Sequence, residues 1–236
     1  YPDLPKSSGR VNNDLMYRHW DTWVDSYTHI FVAPFTLNKM GPGKDIMPGE
    51  KWETPMKPFG GLEQINWTPD SKTIAYTCRK KQGMEYSIST NSDIYFYSLE
   101  TGETKNISDG MMGFDISPTF SPDGKYVAWE SMERDGYEAD KQRLFTMNLE
   151  TGEKTYHTED FDQMAHGLSF SEDGKSIYFI SDWHATDEIY ELTLADNKIR
   201  KITEGVHNYQ TATDAGKVLI AQRVSMSKPA EIYAVN

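Results

Sequence analysis

One cysteine, Cys78, stands among 236 residues. An intrachain disulfide is therefore impossible, and so is a zinc site built on several thiolates. A single Cys suits the cytosol and equally a periplasmic domain without bridges. No apolar run approaches the roughly 18 residues of a membrane helix. Basic residues are in deficit: 24 Lys and Arg against 36 Asp and Glu leave a net charge of −12. That argues against nucleic acid or an anionic membrane as a partner, because each requires a positive face. The opening Tyr1-Pro-Asp-Leu-Pro5 has no Met, basic patch or apolar stretch. No signal peptide is read there, and a portion of a longer chain is expected. The six histidines form no His-Glu-x-x-His pattern and no calcium loop is spelled, so neither a metal nor another cofactor is expected. Gly-x-Ser-x-Gly, the strained elbow that presents a hydrolase serine, is absent too, and the chain alone is expected to hydrolyse nothing.

What is present is a repeat. Thr68-Pro-Asp-Ser-Lys72 returns as Ser121-Pro-Asp-Gly-Lys125, as Ser171-Glu-Asp-Gly-Lys175 and, more weakly, as Thr213-Asp-Ala-Gly-Lys217. A second mark follows each: Asp93-Ile-Tyr95, Arg143-Leu-Phe145, Glu188-Ile-Tyr190 and Glu231-Ile-Tyr233. Leu99-Glu-Thr-Gly-Glu103 recurs as Leu149-Glu-Thr-Gly-Glu153, and a hydroxyl mark closes each unit at Ser108, Thr158 and Thr203. Pro-Asp-Gly-Lys is a tight turn: Pro presets φ, Asp bonds nearby backbone and Gly accepts positive φ. Between the turns lie β-branched and aromatic runs such as Thr73-Ile-Ala-Tyr-Thr77, Tyr126-Val-Ala-Trp129 and Ser176-Ile-Tyr-Phe-Ile180. They are apolar on both faces, as strands covered on both sides must be.

Four antiparallel strands per 40–50 residues or so, with both sheet faces buried, read as one blade of a β-propeller. The predicted fold is all-β: a β-propeller of four-stranded antiparallel blades in a partial ring of about four to five. Residues 1–27 read as an irregular lead-in, 28–59 as half a blade, 60–110, 111–160 and 161–206 as whole blades, and 207–236 as a partial one. Residues 28–47 could supply the outer strand that the last blade lacks and close a ring of four, but an open arc of a larger ring fits better. Such an arc leaves blade faces and strand edges bare, so self-association is expected.

Arg18-His-Trp-Asp-Thr-Trp23, Phe59-Gly-Gly-Leu-Glu-Gln-Ile-Asn-Trp-Thr-Pro-Asp70 and Trp129-Glu-Ser-Met-Glu-Arg-Asp-Gly-Tyr-Glu138 go beyond generic blade sequence. Together they resemble the propeller of the prolyl oligopeptidase (S9) family of serine peptidases, in its dipeptidyl peptidase V and acylaminoacyl-peptidase-like branch. The resemblance implies a parent enzyme that removes dipeptides or acylated units from peptide N-termini. It implies an α/β-hydrolase domain with a Ser/Asp/His triad as partner within the same chain, a peptide substrate, and a periplasmic or secreted location. The propeller would cap the active site and line its cavity. A free-standing TolB-like interaction module remains the alternative.

The loops joining second to third strands all emerge on one face of a propeller. They are long at Cys78–Ser92 and Met132–Gln142, and short but aromatic at Asp182–Asp187. Arg79, Glu133, Arg134, Asp135, Tyr137, Trp183 and His184 are therefore expected on one rim, where recognition residues commonly lie. Glu133 suits a peptide amine and Arg134 its carbonyls. The competing expectation is that Arg134 and its acidic neighbours pair with one another or with a neighbouring blade. Trp20 and Trp23 read as packing residues beneath an irregular loop, and the innermost strands offer no paired carboxylates.

Overall fold

The structure is a computed structural model and describes residues 2–235. Three four-stranded antiparallel sheets follow one another. The first comprises Ile65–Trp67, Thr73–Cys78, Asp93–Ser98 and Thr104–Asn106. The second comprises Asp115–Phe120, Tyr126–Ser131, Arg143–Asn148 and Lys154–Tyr156. The third comprises His166–Phe170, Ser176–Trp183, Thr186–Thr193 and Lys198–Lys201. A three-stranded sheet, Asn208–Asp214, Leu219–Ser225 and Lys228–Val235, ends the series. The first strands of successive sheets touch one another, which puts them innermost. These are propeller blades. Ahead of them Phe31–Val32 pairs with Lys44–Asp45, and no described strand covers the outer edge of Lys228–Val235, so residues 28–47 do not close a ring of four.

The blades stack through four separate cores. On the second strand of the second blade, Val127 and Trp129 join Ile94 and Ile107 of the first blade, while Ala128 between them joins Phe170, Ile177, Phe179 and Tyr190 of the third. Period-two alternation makes this unavoidable, because neighbouring side chains of a strand point to opposite faces. Ile74, Tyr76 and Cys78 likewise pack on Ile30, Ile46 and Met47 of the entering half blade. Ile180 and Ile189 meet Tyr209, Ala212, Leu219 and Ala221 on the other side of the third blade.

The repeated turns are held by one scheme. Ser121 Oγ donates to Asp123 Oδ1 at 2.7 Å and accepts the Lys125 and Tyr126 N–H groups at 3.1 and 2.9 Å. Ser171 repeats this with Asp173, Lys175 and Ser176, and Thr68 with Asp70 and Thr73. Gly124 and Gly174 sit at φ +70, and Ser71 takes the corresponding place in the first blade at φ +60, a region that favours glycine. Each closing hydroxyl also has a duty. Ser108, Thr158 and Thr203 accept the N–H of Ile94, Leu144 and Ile189, pinning each third strand to the end of its outer one at 2.9–3.0 Å.

Trp129 is fully buried and its Nε1 donates to Asp115 Oδ1 at 3.0 Å. Trp129→Ala is expected to cost about 3–5 kcal/mol, the range for emptying a large aromatic site. Urea unfolding monitored by circular dichroism measures it, and a loss below about 1 kcal/mol would show that the two blades do not depend on this core.

Candidate functional site

The loop between second and third strands of the first blade, 79–92, carries a short helix, Gly83–Ile88. The corresponding loop of the second blade, 132–142, docks onto it. Asp135 Oδ1 accepts from Ser89 Oγ at 2.6 Å and from the Thr90 and Asn91 N–H groups at 2.8 and 3.1 Å, and the Gly136 N–H donates to Thr90 Oγ1 at 2.9 Å. Burial is the largest single effect on the Asp135 carboxyl and pushes its pKa up, but those donors together outweigh it and hold the pKa below its ordinary value. Asp135 thus joins two blades.

Arg134 grips Asp140 through Nε, at 3.0 Å to Oδ1, and through Nη2, and its guanidinium lies 4.1 Å from the centre of the exposed Tyr137 ring. Glu133 is exposed and, among the described residues, makes no hydrogen bond or ion pair. Arg79 is half-buried over the Tyr86 ring. In the third blade the strands run further than the sequence indicates. Asp182 and Trp183 pair with Asp187 and Thr186, leaving His184 and Ala185 as the turn at φ +49 and +66. The Trp183 ring is tilted at 49° against that of His184, 4.5 Å away, and lies under Lys201. No hydrogen bond or ring contact among the described residues links Trp183 or His184 to Arg79 or to residues 133–137. Trp20 corrects an expectation: it is 74% exposed and edge-on to Phe59, and the Arg10 and Arg18 guanidinium groups lie 4.4 and 4.9 Å from the centre of the Trp23 ring. The lead-in is not wholly irregular: Arg18–His19 pairs with Thr22–Trp23 as a two-stranded hairpin, and Trp20 at its turn, at φ +51, is carried out to the surface.

Two cavities meet on this side. One, of about 430 Å³, lies between Arg79, Glu138 and an apolar wall that includes Phe114 and Met132. The other, of about 670 Å³, is lined by inner-strand residues Asn66, Ser117, Thr119 and His166, together with Glu130 and Asp182. Glu63 lines both. The inner cavity therefore carries carboxylates that reading the inner strands alone does not find, since Glu130 and Asp182 come from second strands and Glu63 precedes the first blade.

Glu130 is 5% exposed. Its place in the strand is that of Thr77 and Ile180 in the neighbouring blades, so a carboxyl occupies a core position. That departure from the repeat was the available sequence signal. Its Oε1 accepts the Gly167 N–H at 2.8 Å and its Oε2 accepts from Gln142 Nε2 at 3.3 Å. The inner strand of the third blade shifts register between His166 and Ser169, and Gly167 there adopts φ +63, which turns its N–H out of the ladder toward Glu130. Burial pushes the Glu130 carboxyl up to about 7. It does the same to Asp115, also to about 7. Asp187 is raised by burial and by Asp182 opposite, while burial lowers His166. Among the described residues no group of three His, Cys, Asp or Glu is placed to hold a metal ion.

Radially stacked meander sheets with innermost first strands define a β-propeller. The chain matches the PD40 family, the TolB beta propeller domain, over residues 64–233, and it belongs to that family. It is similar to Dipeptidyl-peptidase 5 of Porphyromonas gingivalis, 50% identical over 236 residues, and of Porphyromonas endodontalis, 53% identical over 235. Each match takes in 100% of this chain and 34% of that protein, so the chain spans about a third of their length. The resemblance to the dipeptidyl peptidase branch is thereby borne out. Among solved structures, the putative TolB of Agrobacterium tumefaciens has a TM-score of 0.61 at 14% identity, covering 87% of this chain and 73% of that one. Acylaminoacyl peptidase of Pyrococcus horikoshii has a TM-score of 0.56 at 18% identity, covering 72% and 25%. These two share the fold.

Glu130 and Asp115 sit higher in the folded chain than the ordinary 4.5 and 3.8 of their types. At these two sites the folded chain therefore holds more protons than the unfolded one up to about pH 7, and the stability they contribute is lost as pH rises toward and through that value. Between pH 6 and pH 8 the Tm is expected to drop by about 2–4 °C relative to that of Glu130→Gln, as a change on the order of 1 kcal/mol would, the opposing contribution of the buried His157 and His166 being common to both. Calorimetry across that interval measures it, and an unaltered slope in the variant would show that Glu130 does not titrate there.

Proposed function

We propose that the chain is the non-catalytic propeller portion of a serine exopeptidase of the prolyl oligopeptidase family. It gates and lines the cavity through which short peptides reach an α/β-hydrolase domain of the same longer chain. The observation that carries this reading is 50% identity to Dipeptidyl-peptidase 5 along the whole of this chain and across 34% of that protein. The missing Gly-x-Ser-x-Gly agrees with a division of labour in which the nucleophile lies elsewhere. A periplasmic or secreted location goes with the reading, and the single cysteine permits it.

In this role the propeller contributes enclosure and orientation. Blades locked by apolar cores make a stiff wall, and a stiff wall limits entry to extended or short chains while keeping bulk water from the reacting bond. On the rim, the free carboxylate of Glu133 suits a peptide's ammonium group. Arg134, held in place by Asp140, presents its remaining N–H groups to peptide carbonyls.

A fluorophosphonate probe is expected to label the longer natural chain and to leave this 236-residue chain unlabelled. Labelling here would contradict the non-catalytic assignment, and no labelling of the longer chain would remove the peptidase reading. In the longer chain, Glu133→Ala together with Arg134→Ala is expected to lower kcat/KM for dipeptide release about tenfold, a loss of roughly 1.4 kcal/mol. An unchanged kcat/KM would take both residues out of the recognition surface.

A further inference from the structure

Arg79 follows Cys78 at the end of the second strand of the first blade. Arg10, Arg134 and Arg200 each pair with a carboxylate; Arg79, like Arg18, Arg143 and Arg223, forms no ion pair among the described residues, and of these four it alone has a buried side-chain nitrogen without an acceptor. Its Nη1 reaches the Tyr86 carbonyl at 3.5 Å, its Nε is buried without an acceptor, and Nη2 makes no hydrogen bond within the described chain. The charges of Asp135 and Glu138 both act on it, but Asp135 is already engaged by three donors of the 89–91 segment, and Glu138, on the wall of the adjoining cavity, forms no ion pair with it. Burial pushes the Arg79 pKa down. A half-dry cation with no carboxylate in hydrogen-bond contact is costly, so this one is short of a direct partner.

The cavity beside it is the one of about 430 Å³, and its remaining wall is largely apolar: Met56, Pro58, Phe59, Phe114, Ile116 and Met132. Its volume falls within the roughly 300–1,000 Å³ of ligand sites, which pair an apolar lining with a few placed polar groups. Lys57 on the same wall offsets one of the two acidic residues there, Glu63 and Glu138. Discrimination therefore rests on position, and the guanidinium is the group set among carbon atoms.

We propose that this cavity takes the carboxyl terminus of a short peptide, with the guanidinium of Arg79 holding the terminal carboxylate and the apolar wall holding the side chain of the last residue. A guanidinium matches a carboxylate with two parallel hydrogen bonds, a geometry a lone amide oxygen cannot fill. The proposal rests on the peptidase reading and narrows the substrate to short peptides ending in an apolar residue, grasped at the end remote from the amine.

Isothermal titration of the 236-residue chain tests this with N-acetylleucine, N-acetylleucinamide and N-acetylglutamic acid α-amide. N-acetylleucine is expected to bind with a Kd on the order of 1 mM, and the leucinamide, which lacks the charge, at least tenfold more weakly. Arg79→Gln is expected to weaken N-acetylleucine binding at least tenfold while lowering the Tm by no more than about 2–4 °C, because only the Tyr86 ring contact and one long hydrogen bond are lost. Equal binding of acid and amide, undiminished binding by Arg79→Gln, or no saturation at tens of millimolar overturns the proposal. Equal binding of the glutamic acid α-amide, whose carboxylate is on the side chain, overturns the assignment to a peptide terminus. No bond is broken in this assay, so its failure is distinct from a failure of the probe labelling.

Discussion

Each second strand of a complete blade has to satisfy two cores at once, and the rest of the molecule follows from that. Side chains at successive positions enter different interblade spaces, so size on one face is balanced against size on the neighbouring blade. Ala128 faces the stacked Phe179 and Tyr190. At the equivalent position of the next blade stands Tyr178, and it meets the small Ala212 and Ala221. Close packing leaves few voids, so bulk removed from one blade has to return on the next. A blade is therefore stable as a neighbour more than as a unit, which is the general condition of repeat architectures.

Polar groups finish what packing begins. Backbone groups at strand ends have no ladder partner and must bond elsewhere when buried. Here Ser and Thr hydroxyls at matched positions supply that partner at both ends of the blade, once in the turn after the first strand and again after the outer strand. The inner strands break the scheme. Ser117 and Gly167 take matching left-handed conformations at register shifts, opening backbone groups toward the axis. A buried carboxyl at Glu130 answers one of them.

Much of the fold was legible because its signals are local and repeated. Turn glycines, β-branched runs and closing hydroxyls recur in a fixed order, and a strand covered on both sides has to be apolar throughout. The short helix at Gly83–Ile88 was not legible, since its six residues lie in a loop and lack a side-chain cap. The rim residues Arg79, Glu133, Arg134, Asp135 and Tyr137 were picked out by loop length. Loop length says nothing of partners, and two of those charges, Arg134 and Asp135, are engaged within the protein. Neither cavity could be read from the chain, because each is assembled from segments far apart in sequence. Glu130 illustrates the limit: it stands out against Thr77 and Ile180 once the repeats are laid side by side, yet its partners Gln142 and Gly167 follow from three-dimensional register.

His157 and Asn197 extend the argument to the circumference. Asn197 holds the left-handed place that Gly102 and Gly152 fill in the other outer turns. Its side chain accepts from His157 Nδ1 at 2.6 Å and donates to the His157 carbonyl at 3.2 Å, while Thr146 Oγ1 lies 2.8 Å from His157 Nε2. Second and third blades are thus stitched near the hub by Glu130 and Gly167 and at the tyre by His157 and Asn197. Two spokes fastened at both ends are held as one plate.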